Sequence, residues 1–228
     1  MKSPLAALVI ASANITDSLA GEPGWVEDSH TDEYRAYTQE AQNGDIRKIL
    51  LIGSLAARPE DCFSIITDYE RFPDFMPFVQ YTKLLDSKKV DEKRTMSHVF
   101  FFLNPPMIAN RYYTIALTDE KDPDGISGAF RSKWTLEKGP FRKTPDDPQI
   151  KGHVKWGFKT PIEAIYNDGY WLFEPLEDGG KTKVSYSVWT NPGGLIPATI
   201  ADKANAIALP KIWAAFKNRL AEKKFLKL

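Results

Sequence analysis

The histidine and cysteine side chains of this sequence are too scattered to suggest a metal site or a catalytic set. His30, His98 and His153 lie far apart, and the single cysteine, Cys62, stands beside apolar residues at helical spacing. That setting favours a small buried thiol, since a nucleophilic cysteine needs a neighbouring base. The sequence contains neither a nucleophile elbow nor a glycine-rich phosphate loop. We therefore predict no catalytic residue, no metal ion and no cofactor.

Arg111 is the charged residue whose predicted position most needs a partner. It alternates with Tyr113, Ile115 and Leu117, so its side chain should point to the covered face of a strand. A guanidinium there is costly unless an acid, backbone carbonyls or an anionic ligand accepts its hydrogen bonds. Because Arg111 begins its strand, it could instead reach solvent. His98 also lies in an apolar strand, either as a hydrogen-bonded core residue or as a cavity contact.

These side chains should be positioned by a large β-sheet. Segments rich in β-branched and aromatic residues alternate with clusters of Gly, Pro, Asp and Lys. The predicted strands are 33–40 (a short edge strand), 45–56, 79–85, 94–103, 111–118, 126–137, 150–160, 169–175 and 181–190. In several strands one face is apolar and the other polar, which is typical of an antiparallel sheet with one covered side. A helix should begin near Pro59, and a short Pro-bounded helical turn should follow within 72–78.

The longest predicted element is one bent helix from Ile196 to Leu220. Its first half carries Ile196, Ile200, Ala204 and Ile207 on one face. Its second half carries bulkier residues on a different face, and Pro210 lies near the changeover. The bulky residues are Leu209, Trp213, Phe216 and Leu220. We expect the second half to clamp the helix to the sheet, while the first half either packs as core or roofs a cavity.

The balance of elements predicts that cavity. A single helix about 10–12 Å across cannot fill a strongly curved sheet of roughly eight strands. The 228 residues are 43% hydrophobic, with 30 basic and 30 acidic side chains, so a general nucleic-acid footprint is not supported. No repeat or linker divides the chain, and we interpret residues 25–228 as one domain.

Four segments, in this order, resemble the START-like helix-grip (SRPBCC, Bet v 1-like) lipid-binding superfamily. They are 67–77 after the first helix, the Pro-rich 104–113 leading into an Arg-aromatic strand, the penultimate strand 180–186, and 191–197 before the final helix. The resemblance implies an α+β helix-grip fold: a curved antiparallel sheet of about seven to nine strands around a long kinked C-terminal helix. Tyr112 departs from the family pattern, which often places an acid after the strand arginine.

The resemblance also implies a function, namely carriage of a lipid or sterol-like molecule between sheet and helix. Two alternatives from the same superfamily stay open: a polyketide aromatase/cyclase-like enzyme and a quinone-binding chaperone. Predicted ligand contacts are Arg111, His98, Tyr113, Phe130, Trp134, Trp156, Tyr186, Ile200, Ala204 and Ile207. Predicted gate or membrane contacts are Phe141, Arg142, Lys143, Gly193 and Gly194.

The N-terminus suggests export. Lys2 precedes a short apolar run at 5–10, and Ser18-Leu19-Ala20 forms a small-x-small pattern before Gly21. Residues 1–24 are therefore interpreted as a signal peptide or disordered lead, with a periplasmic or secreted location and a cytoplasmic one as the alternative. We expect a monomer whose partner is a hydrophobic small molecule, with transient membrane contact and no nucleic acid.

Overall fold

The computed structural model describes residues 24–40, 46–196 and 198–222. The predicted export segment, residues 1–24, therefore lies outside the described residues except for Gly24. Within the described part of the chain, no helix is both long enough and apolar enough to cross a membrane.

One antiparallel sheet of ten strands dominates the described residues. The strands run in the spatial order β1-β2-β3-β10-β9-β7-β6-β5-β4, and β8 pairs in parallel with the start of β6. The bounds are β1 Trp25–His30, β2 Tyr34–Gln39, β3 Lys48–Leu55, β4 Val79–Lys89, β5 Arg94–Leu103, β6 Arg111–Lys121, β7 Phe130–Leu136, β8 Ile162–Glu163, β9 Tyr166–Leu176 and β10 Lys181–Asn191. The predicted curved antiparallel sheet of an α+β helix-grip fold is confirmed.

Three α-helices accompany the sheet among the described residues: α1 (Pro59–Ile66), α2 (Phe72–Phe75) and α3 (Ala198–Ala221). Pro59 and two acidic residues occupy the first turn of α1, where a missing N–H is harmless and negative charge is favourable. Helix α3 continues through Pro210, so the prediction of one long C-terminal helix is confirmed.

The second half of α3 is clamped to the sheet, as predicted. Trp213 is buried against Tyr34, with ring centroids 5.6 Å apart, and its Nε1–H donates to Glu33 Oε2 at 3.0 Å. A Cβ on Gly53 would lie 2.5 Å from the Trp213 ring, so only glycine lets the indole approach β3 this closely. Phe216 stacks on Trp171 at 5.5 Å on the same face of the sheet.

Two strand predictions are corrected by the sheet. Segment 33–40 forms β2 but is not an edge, because Trp25–His30 pairs beyond it as β1. Segment 150–160 forms no strand. Ile150 and Val154 are instead buried in a second hydrophobic cluster with Phe100 and Phe102, on the face of the sheet that points away from α3. The apolar residues of this segment anchor a covering loop.

Candidate functional site

A cavity of about 290 Å³ lies between α3 and the inner face of the sheet, the face toward that helix. Its wall follows alternate residues of β6, namely Arg111, Tyr113, Ile115 and Leu117, as the sequence pattern predicts. These four positions span about 20 Å at the rise of an extended strand. Apart from a few polar groups, the remaining wall is aliphatic, aromatic or proline. The cavity therefore suits a long, mostly apolar molecule.

The roof of the cavity is the first half of α3 and its approach. Ile196, Ile200, Ala204, Ala208 and Ile212 line it at intervals of four residues, and Leu209 also contributes. Ile200 and Ala204 are thus where the sequence predicted them. Residue 207 does not line the cavity: its side chain is 37% exposed. The sequence favoured Ile207 over Ala208 because isoleucine is the more apolar residue and its spacing also fits a helix. In the structure, Ala208 is the residue that faces the cavity.

Arg111 is a buried cation without a carboxylate partner among the described residues. Its side chain is only 3% exposed, and it donates to the carbonyls of Ala109 (2.5 Å), Asn110 (3.3 Å) and Gly193 (3.2 Å). Its Nε has no hydrogen-bond partner. Burial lowers the pKa of the Arg111 guanidinium, but arginine is not deprotonated in proteins. A full positive charge therefore stands at the cavity wall, and the partners it has among the described residues are backbone carbonyls.

A group of polar side chains lies further along the cavity. Trp134 Nε1–H donates to Asn167 Oδ1 at 2.9 Å, and both residues line the wall beside Tyr113 and Tyr186. Burial raises the pKa of Tyr113 to about 12, partly offset by a hydrogen bond from Asn167. Burial, with the nearby Tyr113, also raises the pKa of Tyr186. Both phenols stay protonated at neutral pH and can donate a hydrogen bond to a ligand.

The inner end of the cavity is closed by Tyr69 and Ser132. The Tyr69 hydroxyl donates to Asp119 Oδ2 at 2.6 Å, and Asp119 is the next inward position of β6 after Leu117. Burial raises the pKa of the Asp119 carboxyl, while hydrogen bonds from Ser132 and Tyr69 lower it. This carboxyl stands behind Tyr69 and is not part of the cavity wall.

We call the opposite end of the cavity the mouth, defined by the loops 76–79, 104–110 and 191–196. Gly193 and Gly194 lie there with φ of 72° and 74°, which favours glycine. A Cβ on Gly193 would collide with the carbonyl oxygen of Glu163, so this turn is packed tightly against β8. Phe78 and Met107 also have positive φ, at 65° and 66°, which is a strained conformation for such residues. That Gly193 and Gly194 act as a gate stays a prediction.

Besides Ile207, three predicted ligand contacts lie away from the cavity. His98 points to the outer face, where its ring stacks on Phe141 at 3.9 Å and its Nε2 is 3.2 Å from Glu137. Phe130 is on the inner face but beyond the cavity, stacked on Phe63 at 5.0 Å. Trp156 is on the outer side of the mouth, 6.1 Å from Phe102 between ring centroids. His98 faces outward because it alternates along β5 with the inward-facing Val99 and Phe101. Trp156 was expected on a strand at 150–160, and that segment is a loop on the outer face.

The loop carrying Phe141, Arg142 and Lys143 is attached to the outer face of the sheet. Phe141 packs on His98, Arg142 pairs with Glu163, with 2.6 Å between Nε and Oε1, and Lys143 pairs with Asp147 at 3.1 Å. Each predicted gate residue in this loop thus has a partner, and none lines the cavity.

Cys62 is fully buried, and burial raises the pKa of its thiol to about 12. The thiol is therefore unreactive at neutral pH, which agrees with the predicted structural role.

Sequence reasoning missed several cavity residues. Asn167 lies before the predicted start of its strand, and Ser132 is a small polar residue on an otherwise apolar face, so no pattern marked them. Tyr69 looked like an ordinary core residue of a helical segment. The near-continuous apolar run from Val99 to Leu103 was a usable signal, because a strand buried on both faces has that pattern.

Comparison with known proteins agrees with this architecture. Residues 55–217 match the protein-family model described as polyketide cyclase / dehydrase and lipid transport. A search of curated proteins gives no match.

Solved structures with the same fold include lipid transfer proteins from bacteria and humans. A STAR-related lipid transfer protein fragment from Xanthomonas axonopodis is 21% identical, with 87% of this chain and 99% of that chain covered and a TM-score of 0.66. Human StAR-related lipid transfer protein 5 is 13% identical, with coverage of 95% and 99% and a TM-score of 0.66. Human STARD10 is 13% identical, with coverage of 94% and 80% and a TM-score of 0.71. At these identities the likeness shows the fold, which is the START helix-grip fold.

Proposed function

Because this chain belongs to the polyketide cyclase / dehydrase and lipid transport family, we propose that it is a carrier for one hydrophobic small molecule. The ligand is a lipid with a long apolar body and an anionic headgroup. Its body occupies the cavity beneath α3, and its headgroup lies at Arg111. Burial of apolar surface, at about 25 cal/mol per Å², supplies most of the affinity.

The observation that carries this proposal is the pairing of an apolar cavity with a buried guanidinium that no carboxylate of the described residues neutralises. A buried charge is normally compensated by an opposite charge, because backbone carbonyls recover only part of the lost hydration. Arg111 has a free Nε, and its three carbonyl partners, Ala109, Asn110 and Gly193, all belong to the mouth loops. A carboxylate or phosphate at this point would accept the paired N–H groups that a guanidinium presents.

The polar groups of the cavity favour carriage over catalysis. A cyclase acting on a polyketide, the other activity in the family description, needs an acid or base that titrates near the working pH. The raised pKa of Tyr113 and of Tyr186 keeps both phenols neutral, so they orient a ligand oxygen and do not abstract a proton. Trp134 and Asn167 hydrogen-bond each other, which suits a fixed polar wall.

Ligand entry requires movement at the mouth. Arg111 links two mouth loops, since it donates to Ala109 and Asn110 in one and to Gly193 in the other. An anionic headgroup that takes over the guanidinium releases the Gly193 carbonyl. Gly193 and Gly194, whose backbone can adopt many conformations, and the strained Phe78 and Met107 then offer the hinge positions at which these loops can separate.

The test compares two probes that differ only in their polar end, myristate and tetradecanol. Trp134 and Trp171 line the cavity, so quenching of tryptophan fluorescence in delipidated protein reports binding. Arg111→Gln should weaken myristate binding by about 10- to 100-fold, the range for a hydrogen bond to a charged group. Tetradecanol binding should change by less than about threefold, because its neutral end gains little from the guanidinium.

Arg142→Gln is the matched control, since Arg142 lies near the same end of the fold but pairs with Glu163 at the surface. Arg142→Gln should leave the affinity for both probes unchanged. Equal losses for myristate and tetradecanol in folded Arg111→Gln would mean that Arg111 only ties the loops together. Absence of binding by either probe to the unaltered protein, together with turnover of a polyketide, would replace the carrier by an enzyme.

A further inference from the structure

The two most exposed large apolar side chains of the described residues, Phe158 and Leu195, lie at or beside the mouth. Phe158 is 112% exposed and Leu195 is also fully exposed, while Met107 and Ile165 are each more than half exposed. Leu195 and Met107 belong to the mouth loops, and the Ile165 N–H donates to the carbonyl of Asn191 at the start of one of them. Clustered exposed apolar residues at the entrance of a cavity mark an interaction surface.

The segment Lys155-Trp156-Gly157-Phe158-Lys159 follows the same edge of the sheet. Its beginning is fixed where the Lys155 N–H donates to Gln80 Oε1 at 3.0 Å, one residue after the cavity-lining Val79. Its continuation is fixed where the Ile162 N–H donates to the Asn110 carbonyl at 2.9 Å, next to Arg111. The segment therefore crosses from β4 to β6 along the mouth.

This segment alternates cations with aromatic side chains. Trp156 is 40% exposed although it contacts Phe102, and Phe158 has no burial at all. Lys155 and Lys159 form no ion pair with any described residue, unlike Arg142 and Lys143 of the neighbouring loop. Aromatic rings favour the membrane–water interface, and unpaired lysines are attracted to anionic lipid headgroups.

We propose that the mouth docks on the surface of a lipid bilayer that contains anionic phospholipids. Lys155 and Lys159 contact the headgroups, and Phe158 and Leu195 insert between them. The mouth then opens directly onto the membrane, so an apolar ligand passes into the cavity without crossing water. This inference extends the proposed carrier function, but the docking step is measurable without any cavity ligand.

Vesicle flotation provides the test, with vesicles of phosphatidylcholine alone and of phosphatidylcholine mixed with phosphatidylglycerol. Lys155→Gln with Lys159→Gln should reduce partitioning onto the mixed vesicles by about 30-fold, since each lysine near such a surface contributes about one kcal/mol. Phe158→Ser should reduce it by about tenfold or more, because a phenyl ring no longer leaves water. Added salt should weaken binding of the unaltered protein and affect the double lysine variant much less.

Matched controls lie at the far end of the same sheet. Lys88 and Lys89 are exposed at the end of β4 opposite the mouth, and Val90 is an exposed apolar residue beside them. Lys88→Gln with Lys89→Gln, and Val90→Ser, should partition like the unaltered protein.

Unchanged flotation of the mouth variants, or an equal loss in the control variants, would overturn the docking proposal. It would also be overturned by a dimer in solution that Phe158→Ser converts to a monomer, because the mouth would then cover a second copy of the chain. Myristate binding in vesicle-free solution separates this outcome from the carrier proposal. Phe158→Ser should leave myristate binding intact. A failure of membrane docking alone would not count against the carrier proposal.

Discussion

Replacing Ala204 with tryptophan should place an indole ring inside the cavity and prevent ligand binding. Ala204 lies midway along the roof, between Ile200 and Ala208. A buried tryptophan side chain covers about 150–250 Å². If it displaces ligand surface of that size, the ligand loses about 4–6 kcal/mol at 25 cal/mol per Å², or a factor of about 10³ to 10⁴ in affinity. Since the ring enters an existing cavity, the free energy of unfolding should change little.

The matched control is Ile207→Trp, three residues further along α3. Ile207 is partly exposed and does not line the cavity, so the same ring there should leave affinity unchanged. Myristate titration followed by tryptophan fluorescence measures both variants, with circular dichroism as a check that each is folded. Native affinity in folded Ala204→Trp would refute the assignment of the roof. Loss of binding in Ile207→Trp would show that the helix presents the face first expected from the sequence.

Two further predictions concern stability. Trp213→Ala should lower the free energy of unfolding in urea by about 3–5 kcal/mol, whereas Trp213→Phe, which loses the hydrogen bond to Glu33 but keeps a ring, should cost much less; similar losses would contradict the clamp. Burial raises the pKa of Asp119 from 3.8, so its contribution to stability is full below that pH and is lost as pH rises through the raised value. Asp119→Asn should therefore gain stability relative to the parent as pH rises above 3.8, and parallel pH profiles of unfolding would contradict this.

The sequence predicted the elements whose faces differ strongly in polarity. Alternation along β6 and β10 assigned Tyr113 and Tyr186 to the inner face, and both line the cavity. Their strands are central and one side of each is covered, so one register alone buries the apolar set. The same alternation put Arg111 on the covered face but left open that it reaches solvent; the structure has it in the cavity wall.

Prediction failed where apolar residues are buried by something other than the main core. Segment 150–160 alternates like a strand, yet it is a loop, and its residue Val154 is buried because the loop packs on Phe100 and Phe102. Period-two alternation cannot distinguish a paired strand from a loop that inserts every second or fourth side chain into a neighbouring surface. His98 was ambiguous for a related reason, since both faces of β5 are covered and each demands apolar neighbours.

The roof of the cavity shows a second limit. Ala208 and Ile212 line the cavity, whereas the spacing of the larger residues selected Ile207. The cavity-facing positions of α3 mix alanines with isoleucines, so hydrophobicity alone is a poor guide to which positions face the cavity. Asn167 near the start of β9 and Ser132 within β7 were equally hard to identify from the sequence, because single polar residues of these types are usually exposed.

The most direct test of the central claim is native mass spectrometry of the intact protein purified without detergent, followed by organic extraction and identification of what is released. We predict one ligand per chain, an acyl lipid with a carboxylate or phosphate headgroup, and its absence from Ala204→Trp prepared in the same way. A polyketide-like aromatic compound in the extract, or an acyl lipid retained at full occupancy by folded Ala204→Trp, would contradict a lipid carrier whose ligand lies beneath α3.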